Sequence, residues 1–136
     1  MKKYMLYLFM LGMILSACAS QDVGLIGKWE LTAYGPPDSI TPAVSDGDAT
    51  LTFSDDGTVG GSGGCNSLGG EYEVDGNTIT FGGITSTLMA CDDARMAQEG
   101  AVTQVLSGTA EFEIEGQTLT ITNGDVVLVF AVIPGG

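Results

Sequence analysis

One stretch decides the fold of this chain: Glu111-Phe112-Glu113-Ile114-Glu115-Gly116-Gln117-Thr118-Leu119-Thr120-Ile121. Polar and apolar residues alternate on both sides of its centre, which is the pattern of strands with one buried face and one wet face. The central glycine, Gly116, supplies the positive φ that a tight hairpin turn requires. The stretch therefore predicts an antiparallel β-hairpin.

The same period of two runs through most of the chain. Further alternating runs are Thr50-Leu51-Thr52-Phe53, Glu71-Tyr72-Glu73-Val74 and Thr78-Ile79-Thr80-Phe81, with turn signals at Asp75-Gly76-Asn77 and Asn123-Gly124. Residues 126–133 are nearly all apolar, which predicts a strand covered on both faces. We therefore expect a mainly β, small α+β fold in which an antiparallel meander curls into a barrel-like sheet.

One helix is expected, from about Asp92 to Ser107. Its apolar stripe would consist of Ala94, Ala97, Ala101, Val102, Val105 and Leu106. Asp92 and Asp93 suit the positive N-terminal end of a helix, and Gly108 suits the C′ position. Gly100 would let this helix lie close against the sheet, so we expect the helix to pack on the barrel.

Two segments do not fit a simple meander. Residues 34–48 hold three of the four prolines and the aromatic Tyr34, and form either a binding loop or a surface excursion. Residues 57–70 contain seven glycines, which permit bulges or close backbone contacts. A phosphate-binding loop would need a Lys-Ser or Lys-Thr pair after the glycines, and neither is present.

The N-terminus has the layout of a secretory signal. Lys2 and Lys3 precede the apolar residues 4–17, a run shorter than the roughly 20 residues that a membrane-spanning helix needs. Leu15-Ser16-Ala17-Cys18 resembles the lipobox of bacterial lipoproteins, in which the cysteine is acylated. We expect residues 1–17 to be a signal peptide and Cys18 to be the lipidation site.

The lipid would hold the protein on a membrane through residues 18–26, a lipidated anchor with a short tether. The tether reaches about 25 Å when extended, so the folded domain, residues 27–136, would stay close to the bilayer. Ala19 rather than aspartate follows Cys18, which resembles the pattern of lipoproteins sorted to the outer membrane. The expected location is the periplasmic face of the outer membrane if the source is Gram-negative.

Composition excludes several classes of function. The chain has seventeen Asp and Glu residues against four Lys and Arg residues, and a net charge of −13. A nucleic acid partner is excluded because phosphate neutralisation needs a basic surface. The chain has no histidine, which removes Ser-His-Asp and Cys-His catalysis. We expect a protein that is not an enzyme and carries no cofactor or resident metal.

Two cysteines remain after the signal, Cys65 and Cys91. In an exported protein such a pair is most simply a disulfide. A reactive thiol is the alternative, but neither cysteine has a neighbouring Lys, Arg or His in sequence to lower its pKa. A metal site would need further Cys or His ligands.

The chain resembles the META domain family, which includes HslJ-like heat-shock lipoproteins. The resemblance covers residues 27–132 and rests on Trp29-Glu30-Leu31, Leu51-Thr52-Phe53, Gly64-Cys65-Asn66, Gly70-Glu71-Tyr72, Thr87-Leu88-Met89-Ala90-Cys91, Glu99 and Leu119. It implies a small barrel-like β domain with one helix, in envelope proteins linked to stress and drug tolerance and without an established enzymatic activity. Family members often have proline after the second cysteine, where this chain has Asp92.

Three functions are compatible with the sequence. The first is non-catalytic binding of an envelope protein or a small ligand, with Asn66, Gly64, Tyr34 and Trp29 as candidate binding residues. The second is divalent-cation binding through the acidic pairs Asp46 and Asp48, Asp55 and Asp56, or Asp92 and Asp93, although no EF-hand spacing occurs. The third is hydrolysis by a carboxylate pair, which the sequence does not locate.

Overall fold

The computed structural model describes residues 24–44 and 49–135. They form nine strands and one helix, in the order β1 Gly27–Gly35, β2 Thr41–Pro42, β3 Ala49–Phe53, β4 Thr58–Gly63, β5 Ser67–Asp75, β6 Thr78–Ser86, α1 Asp93–Val105, β7 Thr109–Glu115, β8 Thr118–Asn123 and β9 Val126–Ile133. No helix in these residues has the length and apolar character needed to cross a membrane. The predicted lipidation site, Cys18, and the signal peptide lie outside the described residues.

Eight antiparallel strands close into a barrel. Each of β3 to β8 pairs with the next strand along the chain, and β1 pairs with β3 on one edge and with β9 on the other. The short β2 pairs only with the end of β1, where Tyr34 lies opposite Thr41. The predicted mainly β, barrel-like meander is confirmed.

The alternating runs form the barrel wall as expected. In the β7–β8 hairpin, Leu119 and Ile121 are fully buried, and the polar residues between them are not. Gly116 at the hairpin turn has φ +59° and Gly124 at the next turn has φ +56°, which are left-handed conformations that glycine adopts without strain. Local sequence therefore dictates this part of the sheet.

The barrel interior is a packed apolar core. Trp29 is fully buried and donates its indole N–H to the backbone oxygen of Leu25 at 2.8 Å. Phe53 packs edge-on against Tyr72, with ring centroids 5.1 Å apart, and lies beside Phe81. Each large apolar side chain removed from water contributes about 1.5–3 kcal/mol.

β9 differs from its prediction. Leu128 and Phe130 are buried, but Val129, Ala131 and Ile133 on the alternate positions are only half-buried. Val127 at the start of the strand is buried on this face too, so β9 is covered on both faces only there. Strand propensity accounts for the apolar residues of the outer face from Val129 onward.

The helix begins where the sequence indicates. Asp92 is the N-cap, and its carboxylate accepts the backbone N–H of Arg95 at 2.8 Å. The helix ends at Val105 with Leu106 as C-cap. The C′ residue is therefore Ser107, and Gly108, which was predicted at C′, lies one residue beyond it.

The buried face of α1 is the predicted one only in part. Val102, Val105 and Leu106 are buried as expected, but Ala94 and Ala97 are exposed, and Gln98 and Glu99 are buried instead. α1 packs against β1, β4, β8 and β9 at one end of the barrel. The prediction was wrong for the first half of the helix because two polar side chains have hydrogen-bond partners inside the fold, which apolar periodicity does not register.

A different glycine from the predicted one allows close helix packing. A Cβ on Gly100 would meet nothing, whereas a Cβ on Gly63 in β4 would lie 3.1 Å from the Cα of Glu99. Gly61 approaches its neighbour even more closely, since a Cβ there would lie 1.9 Å from the backbone oxygen of Thr50. The predicted close contacts of residues 57–70 are thus confirmed.

The predicted disulfide is also confirmed. Cys65, just after β4, is bonded to Cys91, just before α1. The bond ties the β4–β5 connection to the start of the helix across a sequence separation of 26 residues.

Gly61→Ala is expected to destabilise the protein by about 2–4 kcal/mol, because Gly61 has φ +150° and no room for a Cβ. Gly60→Ala is the matched control, since its Cβ would make an ordinary 3.6 Å contact. Urea unfolding of both variants measures the difference. Equal stabilities for the two variants would contradict this packing of β3 on β4.

Reduction of Cys65–Cys91 is expected to lower the free energy of unfolding by about 3–4 kcal/mol, the chain-entropy value for a loop of this length. Urea unfolding with and without reductant gives the value. The variant with both cysteines changed to serine is the control and should not respond to reductant. A loss below about 1 kcal/mol would show that the disulfide is not a structural staple.

Candidate binding groove

The barrel wall opens where β6 leaves β7. The two strands pair only from Thr78 to Thr80, and their last backbone contact is the hydrogen bond from Phe81 N–H to Gly108 O at 3.0 Å. β6 continues beyond this point to Ser86, paired only with β5. A space therefore opens between the end of β6 and the helix that precedes β7.

This space is a groove of about 630 Å³. One wall is residues 86–90, and the other is the exposed side of α1 with Met96, Gly100 and Thr103; Asn66, Glu99, Gln104 and Ser107 complete the lining. The volume lies in the usual range of ligand sites. We call this feature the α1 groove.

Three large apolar side chains of the α1 groove are exposed to solvent. Leu88 is 96% exposed, Met89 is 58% exposed and Met96 is 38% exposed. They come from both walls, so the groove carries exposed apolar side chains on its two sides. Clustered exposed apolar residues of this kind mark interaction sites.

Asn66 joins the floor of the groove to the helix. Its backbone N–H donates to Glu99 Oε1 at 2.5 Å, and its side-chain Nδ2 donates to Glu99 Oε2 at 2.6 Å. Both residues are buried. A buried carboxylate needs such donors, because an unsatisfied charge is costly in an apolar environment.

Asn66 also holds the wall of residues 86–90. Its Oδ1 accepts the backbone N–H of Met89 at 2.6 Å and the hydroxyl of Thr87 at 2.9 Å, and its Nδ2 also donates to Met89 O at 3.2 Å. Both donor positions and both acceptor positions of the amide are therefore used. Asn66, a candidate binding residue from the sequence, lines the α1 groove, but its amide braces the wall and is not free to bind a ligand.

Gln98 holds the other side of the helix. Its Oε1 accepts the backbone N–H of Val44 at 2.7 Å, and its Nε2 donates to Gly63 O at 2.9 Å. A Cβ on Gly64, which has φ +117°, would lie 2.6 Å from Gln98 Nε2. Gly64 is therefore a close-packing position beside the groove, and not itself part of its lining.

Sequence reasoning missed Gln98 and treated Glu99 only as part of a family pattern. A signal was present, since residues 98, 102 and 105 follow the helical spacing of one buried face. The polar character of Gln98 hid that face. A buried polar residue in register with apolar ones indicates a hydrogen-bonded brace.

The other candidate binding residues lie elsewhere. Trp29 is fully buried in the barrel core, so its side chain is not available to a partner. Tyr34 is half-buried, packs on the core and lies in β1. The prolines after it form a turn and the strand β2, so the described part of residues 34–48 folds back on β1 and does not line the groove.

One member of each acidic pair that the structure describes serves local structure. Asp56 Oδ1 accepts both the N–H and the hydroxyl of Thr58 in a turn, and the hydroxyl bond lowers the pKa of Asp56. Asp92 caps the helix, and Asp46 and Asp48 lie outside the described residues. Within residues 24–44 and 49–135, no three acidic or cysteine side chains group in a way that could hold a metal ion.

One carboxylate pair interacts directly. The side chain of Glu115 hydrogen-bonds to Glu113 and raises its pKa. Both residues are exposed on the outer face of β7, where Glu113 borders a hollow of about 430 Å³. The pair lies on open surface and not in the α1 groove.

Solved structures share this architecture. A protein from Burkholderia xenovorans studied by NMR has 26% identity and a TM-score of 0.65, with 79% of this chain and 82% of that chain covered. A lipocalin-like protein from Bacteroides uniformis has 15% identity and a TM-score of 0.51, with coverages of 80% and 98%. A DUF4847 family protein from Bacteroides vulgatus has 16% identity and a TM-score of 0.53, with coverages of 77% and 91%. At 15% and 16% identity, these last two likenesses concern the fold alone.

No curated protein sequence matches the chain significantly. The META domain family does match, over residues 24–133. This range contains the whole barrel, the disulfide and the Asn66–Glu99 brace. The chain is therefore a member of the META domain family.

Proposed function

We propose that this protein is a lipid-anchored, non-catalytic binding protein of the cell envelope, and that the α1 groove is its binding surface. The observation that carries the proposal is the exposure of Leu88, Met89 and Met96 around one concave surface. Burying each such side chain contributes about 1.5–3 kcal/mol, so a partner that covers them gains affinity.

The groove is built to keep its shape. Asn66 fixes the backbone of Met89, and the disulfide fixes Cys91 two residues later. A fixed wall lowers the entropy that binding costs. Methionine side chains on a rigid wall can still adapt to different apolar surfaces.

The lipocalin-like neighbour supports a binding role but not binding inside the barrel. An eight-stranded barrel can hold one small ligand only when side chains leave the interior open. Here Trp29, Phe53 and Phe130 are buried in the interior, at 1% exposure or less. The α1 groove, on the outside of the wall, is the better candidate.

The position of the tether suits this role. β1 enters the barrel at Gly27, beside Phe53 and near Ile133, whereas Gly63 at the far end of β4 packs on α1. A chain anchored at Cys18 would therefore approach the membrane with the end opposite the helix. The groove would face the aqueous compartment, where partners are accessible.

Membership in the META family supports a wider role in envelope stress or drug tolerance. Such a role needs contact with another envelope component rather than catalysis. The exposed pair Glu113 and Glu115 lacks the enclosing cleft that a carboxylate hydrolase needs, so it does not favour the enzymatic alternative.

Site-specific photocrosslinking tests the proposal. A photoreactive amino acid replaces Leu88 in one variant and Val74 in another; Val74 is a 46% exposed apolar residue on β5, away from the groove. Irradiation of native membranes is expected to give a crosslinked species from position 88 that position 74 does not give. Met96→Glu should abolish it, because a charge in the groove opposes apolar binding.

The same species from both positions, or none from position 88, would contradict binding at the groove. The anchor is tested separately with Cys18→Ser. Wild type should incorporate a labelled fatty acid during growth, whereas this variant should not. Equal labelling of the two proteins would count against lipidation at Cys18.

A further inference from the structure

We propose that the occupant of the α1 groove is an extended, cationic segment of a partner protein, which adds as a strand to the open edge of β6. This inference rests on the proposed function and names its partner chemistry. Adding a strand gives affinity through main-chain hydrogen bonds and specificity through alternate side chains. Backbone direction, edge composition, groove position and charge each support it.

The backbone groups at the end of β6 point in alternating directions. In an antiparallel pair, successive residues point their N–H and C=O groups to opposite edges of the strand. Thr87 donates its N–H to Ser67 O at 3.0 Å, and Thr85 lies opposite Gly69. The backbone groups of Thr85 and Thr87 therefore face β5, and those of Ser86 between them face the other way.

The backbone groups of Ser86 point to the side of the barrel where β7 has already separated from β6. Within the part of the chain that the structure describes, no strand pairs with β6 on this side beyond Phe81. Residues 85–87, centred on Ser86, thus form an open strand edge, which we call the β6 edge.

The β6 edge lacks most of the protection that proteins normally give to an exposed edge. Lysine, proline and inward-pointing charges prevent edges from pairing with other chains. Residues 82–86 are Gly-Gly-Ile-Thr-Ser and contain none of these. Gly83, with φ +60°, and Ile84 form a bulge between the pairs Glu71–Gly82 and Gly69–Thr85, and the β6 edge lies beyond this bulge.

The β6 edge runs into the α1 groove. Ser86 belongs to both, and the groove wall continues from it through Met89. A strand added along the edge would place alternate side chains toward Met96 and Thr103 on the facing helix. The edge would supply the hydrogen bonds, and the groove would supply the apolar contact.

Charge indicates which segment fits. After removal of residues 1–17, the chain keeps Lys28 and Arg95 against seventeen carboxylates, a formal charge of −15. Of the residues that line the groove, the ionisable one is Glu99. A cationic segment is attracted by this field, whereas a second copy of the chain carries the same charge and is repelled.

A lipid surface is disfavoured by position. The described chain begins at Gly24, at the end of the barrel away from the helix, and the tether from Cys18 would be short. Leu88 and Met96 lie at the helix end and would face away from the membrane that holds the lipid. The geometry therefore favours a protein segment over the bilayer.

A peptide library tests the inference. The lipidated protein is placed in phosphatidylcholine nanodiscs and offered ten-residue peptides of Lys, Arg, Val, Leu, Thr and Gly in random order, with empty nanodiscs as background. Enriched peptides are expected to bind wild type and Ser86→Ala equally. They should bind Ser86→Pro at least about tenfold more weakly, because proline removes an N–H of the β6 edge.

Ser86→Pro should still fold, since the N–H that it removes does not pair with β5. Chemically modified peptides give the same test without a change in the protein. N-methylation of alternate peptide residues that face β6 should weaken binding about tenfold, whereas methylation of the intervening residues should have little effect.

The outcomes separate this inference from the proposed function. Strand addition would be overturned if no peptide is enriched. It would also be overturned if the enriched peptides bind Ser86→Pro as well as wild type, or bind equally well whichever alternate residues are N-methylated. Binding at the groove itself would then still be decided by the crosslinking experiment. A Ser86-dependent dimer in sedimentation would overturn it in favour of a second copy. Loss of binding to phosphatidylglycerol vesicles in Leu88→Glu, but not in Val74→Glu, would overturn it in favour of lipid.

Discussion

The structure around the α1 groove depends on one buried interaction, the pair of hydrogen bonds between Asn66 and the carboxylate of Glu99. Asn66 lies after β4, Glu99 lies on the helix, and the same amide holds the backbone of Met89. Three segments that are distant in sequence therefore meet at one side chain. Removing a partner would leave a buried polar group unsatisfied, which costs more than the hydrogen bond itself contributes.

This brace explains why the groove lies outside the barrel. The interior is filled by aromatic and aliphatic side chains, and α1 lies across one end, held by Gln98 and by Glu99. The helix can lie so close because glycine at 63 leaves no Cβ in its path. The path from β6 to the helix then has to cross the end of the barrel on the surface, and its apolar residues stay exposed. The binding surface is thus a consequence of how the end of the barrel is closed.

The sequence predicted what local patterns control. Alternating runs and glycine turns gave the hairpins, Asp92 gave the helix start, and the pair Cys65 and Cys91 gave the disulfide. The first half of the buried face of α1 was missed because long-range partners, not apolarity, decide that Gln98 and Glu99 face inward. β4 was missed as a strand because glycine has low β propensity, while here its lack of a side chain is what the packing requires. The β6 edge and the closure of β1 on β9 depend on the register of distant strands, which no local pattern encodes.

A double-mutant cycle between Asn66→Ala and Glu99→Ala, measured by urea unfolding, tests the central role of this brace most directly. The account predicts a coupling energy of about 1–3 kcal/mol, as expected for residues of one buried network. Asn66→Ala combined with Val74→Ala is the reference pair, and it should be additive because Val74 lies on the exposed part of β5. Additivity of Asn66→Ala and Glu99→Ala within about 0.5 kcal/mol would contradict the account.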